Sequence, residues 1–153
     1  MGLSEGEAQS LKVLLDTNIM VDVALERQPF YPSSMQVLNL AYRGIVEAFI
    51  SASTVSDIYY LVRKVKGHEA TLEFLRIMPP ICRIATVDQR VIDNALTSSF
   101  RDFEDAVQYE TAIANQLDAI VTRNPQDFSG KALPILTPEA LRQQLSQSGD
   151  QSS

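Results

Sequence analysis

Short runs of apolar residues alternate along this chain with longer stretches in which apolar positions recur every three or four residues. The runs lie at 12–15 (KVLL), 48–51 (AFIS), 83–87 (RIATV), 119–122 (AIVT) and 134–136 (PIL). They are continuous, without the period-two alternation of a half-exposed strand, so they predict strands buried on both faces. Helical spacing covers 33–46, 53–65, 69–78, 88–98, 103–116 and 138–145, with Pro79-Pro80 a firm break. Strands that alternate with helices in this way predict an α/β fold, a three-layer α/β/α sandwich around a central, mostly parallel five-stranded sheet. The stripe Ile19, Met20, Val23, Ala24, Leu25 and the cluster Tyr59, Tyr60, Leu61, Val62 are assigned mainly to packing. One domain over 11–145 is expected, with the polar ends 1–10 and 146–153 as flexible tails.

The first run ends on a charge. In LLDTNIMVD, Asp16 follows Leu14-Leu15, and an ionised carboxylate at the end of a buried strand is costly unless something compensates it. Asp16, Thr17 or Asn18 as a helix N-cap is the simplest account. In a parallel sheet, however, right-handed crossovers bring the C-terminal ends of the strands to one edge, where ligands bind. Asp57 stands about one turn into the helix after the second strand, and Asp102 and Asp105 open the helix FEDAVQYETAIANQL. Capping explains Asp102 better than Asp105. VTRNPQDF then carries Asn124 and Asp127 into a loop after the fourth strand, where an Asn-Pro turn is the plain alternative. Each of these groups sits at a strand end or the adjoining helix start, so one shared site is a better account than four separate caps.

Carboxylates packed together repel and raise one another's pKa unless a cation binds among them. An all-oxygen set suits a hard ion, Mg²⁺ or Mn²⁺. Such an ion activates water and stabilises charge on a phosphate, which makes phosphodiester hydrolysis the natural chemistry. Nineteen acidic against thirteen basic residues, net charge −6, argue against general coating of nucleic acid but leave a nuclease open, because the bound ion offsets charge where phosphate approaches.

Other chemistries find no support. The single Cys82 forms no internal disulfide, and with only His68 there is no zinc set and no Ser/His/Asp or Cys/His arrangement. Cys82 reads as a buried apolar residue and His68 as a surface residue at a helix start. Gly6, Gly44, Gly67 and Gly130 are isolated turn residues, not a phosphate-binding loop. No run approaches the roughly 20 apolar residues of a membrane span, and the acidic N-terminus is unlike a signal peptide, so a cytoplasmic protein is expected.

The ordered set LLDTNIMVD, STVSDIYYLV, DFEDAVQYETA and IVTRNPQDF resembles the PIN-domain family, metal-dependent ribonucleases that include the VapC-like toxins of toxin-antitoxin pairs. The resemblance covers about Val13 to Leu136. It implies Asp16, Asp57 and Asp105 as metal ligands and acids, Asn124 in the fourth position and Asp127 as a further acid. Asn18, Thr122 and Asp102 fall beside them as groups that orient ligands or water. It also implies an RNA substrate, a small antitoxin partner and a homodimer to which the apolar helices contribute. Two positions depart from the family pattern. Asp57 stands where many members have Glu, and Asn124 where many have Asp. Arg63, Lys64, Lys66 and Arg123 are candidate RNA contacts, although basic residues that end a helix are commonly partners of its dipole.

The leading expectation is therefore a metal-dependent endoribonuclease, with the toxin role that the resemblance implies. The alternative is a catalytically weakened PIN-like module that binds RNA or protein, consistent with Asn124. A haloacid-type phosphatase fits poorly, because Asn18 stands where its second Asp belongs, and a receiver domain lacks its acidic pair.

Overall fold

A computed structural model describes residues 10–128 and 131–152 of the chain. Residues 1–9, which hold most of the expected N-terminal tail together with Gly6, lie outside the described residues, as do Gly130 and Ser153. The elements run β1 (Leu11–Leu15), α1 (Thr17–Ala24), α2 (Tyr31–Tyr42), β2 (Val46–Ser51), α3 (Val55–Lys66), α4 (His68–Ile77), β3 (Cys82–Ala85), α5 (Gln89–Leu96), α6 (Phe103–Ala114), β4 (Ala119–Val121), β5 (Ile135–Leu136) and α7 (Pro138–Ser152). Short 3₁₀ turns at Ala52–Thr54 and Pro125–Phe128 lead out of β2 and follow β4.

The five strands form one sheet in the order β3-β2-β1-β4-β5, and every pairing is parallel. β1 is central and fully enclosed at its end, with Val13, Leu14 and Leu15 at zero exposure. Its odd residues pack one way, among Ile19, Met20, Val37, Ile58, Val62 and Leu141, while Leu14 packs the other way among Ala112, Ile120 and Phe128. Two core clusters on opposite faces of one strand explain why the run KVLL is continuous rather than alternating. The three-layer sandwich is thus present.

Several boundaries differ from those the sequence predicts, for local reasons. α2 stops at Tyr42 because Gly44 takes φ +78° and the chain is already in β2 at Val46. β3 begins at Cys82 and ends at Ala85, before Asp88 caps α5 by accepting from Val91 N at 3.1 Å. α7 continues past Leu145 to Ser152, through the stretch expected as a C-terminal tail, where no proline interrupts it. Cys82 is buried, and burial pushes its thiol up to about 12, so its role is packing. His68 is exposed at the start of α4, its Nδ1 paired with the Tyr59 hydroxyl at 2.8 Å. Among the described residues no helix is long and apolar enough to cross a membrane.

Candidate active site

The strand order reverses beside β1: the chain goes from β1 to β2 on one side and later returns to β4 on the other. Such a switch point opens a crevice at the C-terminal ends of the two strands. Asp16 is the first residue beyond β1, and its backbone N–H still donates to Val121 O of β4 at 2.9 Å. It also occupies the N-cap position of α1, yet its side chain makes no capping bond. The carboxylate is committed elsewhere. Oδ1 accepts from Gln108 Nε2 at 3.0 Å and Oδ2 from Thr122 Oγ1 at 2.8 Å. All three side chains are buried, so α6 and the end of β4 hold Asp16 in one orientation. Thr122 Oγ1 in turn accepts from Asn124 N at 3.0 Å, which ties the following loop to the same point.

Around Asp16 lies a cavity of about 340 Å³ whose lining includes Asp57, Glu104, Asp105 and Asp127, along with Asn18 and Gln108. Each acid arrives by a separate local device. Ser51 accepts from Ser53 N to start the 3₁₀ turn after β2, which launches α3 with Asp57 in its first turn. Asp102 caps α6 by accepting from Asp105 N at 3.0 Å, as the sequence suggests, and leaves the Asp105 side chain to the cavity. Glu104, Asp105 and Gln108 follow at helical spacing on one face. Asp127 comes from the 3₁₀ turn after β4.

The charges feel one another. Burial, then the negative charges of Asp102, Asp16 and Asp127, push the Asp105 carboxyl up to about 7. A hydrogen bond to Asp57 does most to push Glu104 up to about 7, helped by burial and the charges of Asp57, Asp102 and Asp105. Two buried oxygens of residues in the cavity lining, Thr17 Oγ1 and Gln108 Oε1, find no hydrogen-bond partner among the described residues. Carboxylate repulsion and orphaned oxygens in a cavity rich in carboxylates and without Cys or His fit the chemistry of a hard divalent cation. Among the described residues, no three His, Cys, Asp or Glu side chains are already placed to hold an ion. Asp16 is held by two hydrogen bonds, whereas Asp57 and Asp105 are half-buried and Glu104 and Asp127 exposed.

The expected residues thus separate into groups. Asp16, Asp57, Asp105, Asp127 and Asn18 share the cavity, Thr122 holds Asp16, and Asp102 caps α6. Asn124 is not in the cavity lining; its backbone is engaged with Thr122 and, through its carbonyl, with Asp127 N at 3.0 Å. Arg123 turns away from any free surface role: Nε donates to the fully buried Asp22 at 2.7 Å and the guanidinium lies 4.0 Å from the Phe30 ring centroid. Arg63, Lys64 and Lys66 are exposed on α3 outside the cavity, with Arg63 beside Tyr60. Tyr60 and Leu61, assigned from the sequence to packing, are 56% and 37% exposed and form part of the cavity wall. Glu104 and Gln108 were not foreseen. Their distance of one helical turn from each other, with Asp105 between, is the signal that places them on the same face.

A PIN-domain family model matches residues 12–126, most of the chain. The chain belongs to the PIN-domain family. Within that family it is related to the VapC-like toxin ribonucleases. It is 24% identical over 135 residues to Ribonuclease VapC1 of Aquifex aeolicus, covering 85% of this chain and 92% of that protein. Its fold matches a toxin-antitoxin complex from Klebsiella pneumoniae with TM-score 0.63 at 23% identity, over 82% of this chain and 97% of that one. It also matches VapBC2 from Rickettsia felis, bound to a promoter DNA fragment, with TM-score 0.65 at 19% identity, over 83% and 98%. The PIN-domain fold is therefore shared with these structures.

Proposed function

We propose that this PIN-domain protein is an endoribonuclease that uses Mg²⁺ or Mn²⁺ to hydrolyse RNA phosphodiester bonds, and that it acts as the toxin of a toxin-antitoxin pair. The observation that carries this reading is the gathering of Asp57, Glu104, Asp105 and Asp127 around a buried, oriented Asp16 in one cavity. The relatives named as a ribonuclease and as toxin-antitoxin complexes support the substrate class and the partner.

In this reading Asp16, Asp57 and Asp105 hold the cation, with Asp127 the acid in reach where Asn124 is neutral. When bound, the cation supplies an activated water and positive charge against the phosphate. The protein's own contribution is preorganisation. Thr122 and Gln108 donate to Asp16 without cancelling its charge, so the carboxylate keeps both its direction and its attraction for a cation. Glu104, hydrogen-bonded to Asp57 at the cavity and not needed to hold the cation, is the carboxylate suited to exchange a proton there.

The test is a labelled RNA incubated with Mg²⁺, with Mn²⁺ and with EDTA. Cleavage is expected with either metal and is lost in EDTA and in Asp105→Asn. Cleavage that persists in EDTA overturns the metal mechanism.

A further inference from the structure

The acidic cavity is not isolated. Asp105 and Asp127, which line it, also line a second groove of about 600 Å³ that runs past Phe100 to Arg101 and Lys131. The cavity wall also includes Tyr60 of α3, which does not line that groove. The two flanks differ in chemistry. Tyr60 is 56% exposed, and its ring is buttressed edge-on by Tyr59 at 5.2 Å and 74°, with Tyr59 itself anchored through its hydroxyl to His68. The Arg63 guanidinium lies 5.9 Å from the Tyr60 ring centroid. A supported aromatic face with a cation beside it is a platform for a flat ring. Across the acids, Lys131 Nζ is held by Ser99 Oγ at 3.0 Å and by the Phe100 ring at 4.2 Å. Among the described residues neither Lys131 nor Arg101 forms an ion pair with a carboxylate, although Asp102, Asp105 and Asp127 line the same groove. Two cations left unpaired beside so many acids suit an anion that spans the groove.

We infer that a single RNA strand crosses the acidic cavity from Tyr60 to Lys131. One base stacks on Tyr60, on one side of the reacting phosphate, and a phosphate on the other side is held by Lys131 and Arg101. The inference rests on the proposed nuclease reading for the identity of the reacting phosphate. An unpaired strand is the form that fits, because a base enclosed in a duplex cannot leave its stack to lie on Tyr60. Stacking on an aromatic tolerates any base, so this flank supplies affinity for single strands without demanding a sequence.

The experiment is fluorescence anisotropy of a labelled single strand of about 12 nucleotides, a length matched to a groove of this kind, titrated in Ca²⁺, a hard ion that offsets the cavity acids, with the strand's length checked after each titration to exclude cleavage. The same strand with abasic residues and its duplex are titrated alongside. Tyr60→Ala is expected to weaken the intact strand by about tenfold and to leave the abasic strand unchanged, while Tyr60→Phe binds like the parent. Lys131→Ala and Arg101→Ala are each expected to reduce the slope of log affinity against log salt by about 0.7, the value for one phosphate contact on a single strand. Equal loss for intact and abasic strands in Tyr60→Ala overturns the stacking, and an unchanged salt slope in both cation variants overturns the phosphate contact. A duplex that binds as tightly as the single strand overturns the path as a whole. If the parent binds as described yet cleaves no RNA in Mn²⁺, the path stands and the nuclease reading fails.

Discussion

Asp16 and Asp22 lie in the same stretch LLDTNIMVD, both are buried, and both are acidic, but the protein treats them in opposite ways. Asp22 is matched by charge: Arg123 reaches it with Nε at 2.7 Å and a second nitrogen at 3.4 Å, and Arg27 lies at 3.6 Å. Asp16 is matched only by neutral donors, Gln108 and Thr122. The first arrangement cancels a buried charge and staples α1 to the loop after β4. The second orients a charge while leaving it uncancelled. In a buried environment an uncancelled carboxylate is an invitation to a cation, and the other acids of the cavity face the same point of the fold. How a buried carboxylate is compensated therefore separates the structural aspartate from the functional one, where sequence position does not.

Substitutions break the comparison most sharply. Asp16→Asn should lower RNA cleavage by roughly 10³-fold, about 4 kcal/mol on the barrier, without lowering the melting temperature, because the amide still accepts a hydrogen bond and removes a repelling charge. Asp22→Asn should do the reverse, costing stability while the folded fraction retains its rate per molecule. Steady-state cleavage alongside urea denaturation distinguishes the two. Equal loss of activity from both would mean that Asp22 also serves the site.

The ion pair itself can be sized. Arg123→Met leaves Asp22 buried with only the partly exposed Arg27 nearby, and should cost about 3 kcal/mol. The pair Asp22→Leu with Arg123→Met should lie closer to the parent than either single change, because it removes both charges. Urea midpoints of the three variants check this.

The fold was largely legible in the sequence because its signals are local. A strand enclosed on both faces must be continuously apolar, and KVLL is such a run whichever neighbours it has. The cavity was legible in part for the same reason: Asp16 ends a strand and Asp102 precedes a helix, each visible within a few residues. Gln108 was not, since it lies in the middle of an amphipathic helix where a polar residue ordinarily means solvent, and only the approach of α6 to β1 turns it inward. The Asp22–Arg123 pair joins residues at opposite ends of the folded chain and has no local trace, so Arg123 looked free for RNA. The family resemblance puts Asn124 in the fourth ligand position, with Asp127 three residues on as a further acid. The 3₁₀ turn directs Asp127 into the cavity and engages the backbone of Asn124 instead.

Metal should stabilise the fold on a smaller scale. If Mn²⁺ binds only the native protein, a free concentration a hundredfold above its Kd adds about 2.7 kcal/mol. Differential scanning fluorimetry should show the rise, with a blunted response in Asp16→Asn and in Asp127→Asn but not in Asn124→Ala.

The smallest effect concerns pH. Folded Asp105 and Glu104 titrate at about 7, above their ordinary values of 3.8 and 4.5. For an acid whose folded pKa is raised, the native state holds its proton more tightly than the unfolded state does. Its contribution is present below the ordinary value and is lost as pH rises through 7. The metal-free protein should therefore melt at progressively lower temperature from about pH 5 to about pH 8, and the slope should flatten in Asp105→Asn. Exposure of Glu104 limits its share.

The central claim is that the uncancelled Asp16 and the repelling acids around it form a cation site. Isothermal titration with Mn²⁺ at neutral pH, repeated in two buffers of different ionisation enthalpy, tests it directly. The account predicts binding accompanied by proton release, because Glu104 and Asp105 give up protons they hold near pH 7, and predicts that Asp16→Asn abolishes or severely weakens it. Mn²⁺ binding that is undetectable in the parent, or equally tight in Asp16→Asn, would contradict the account.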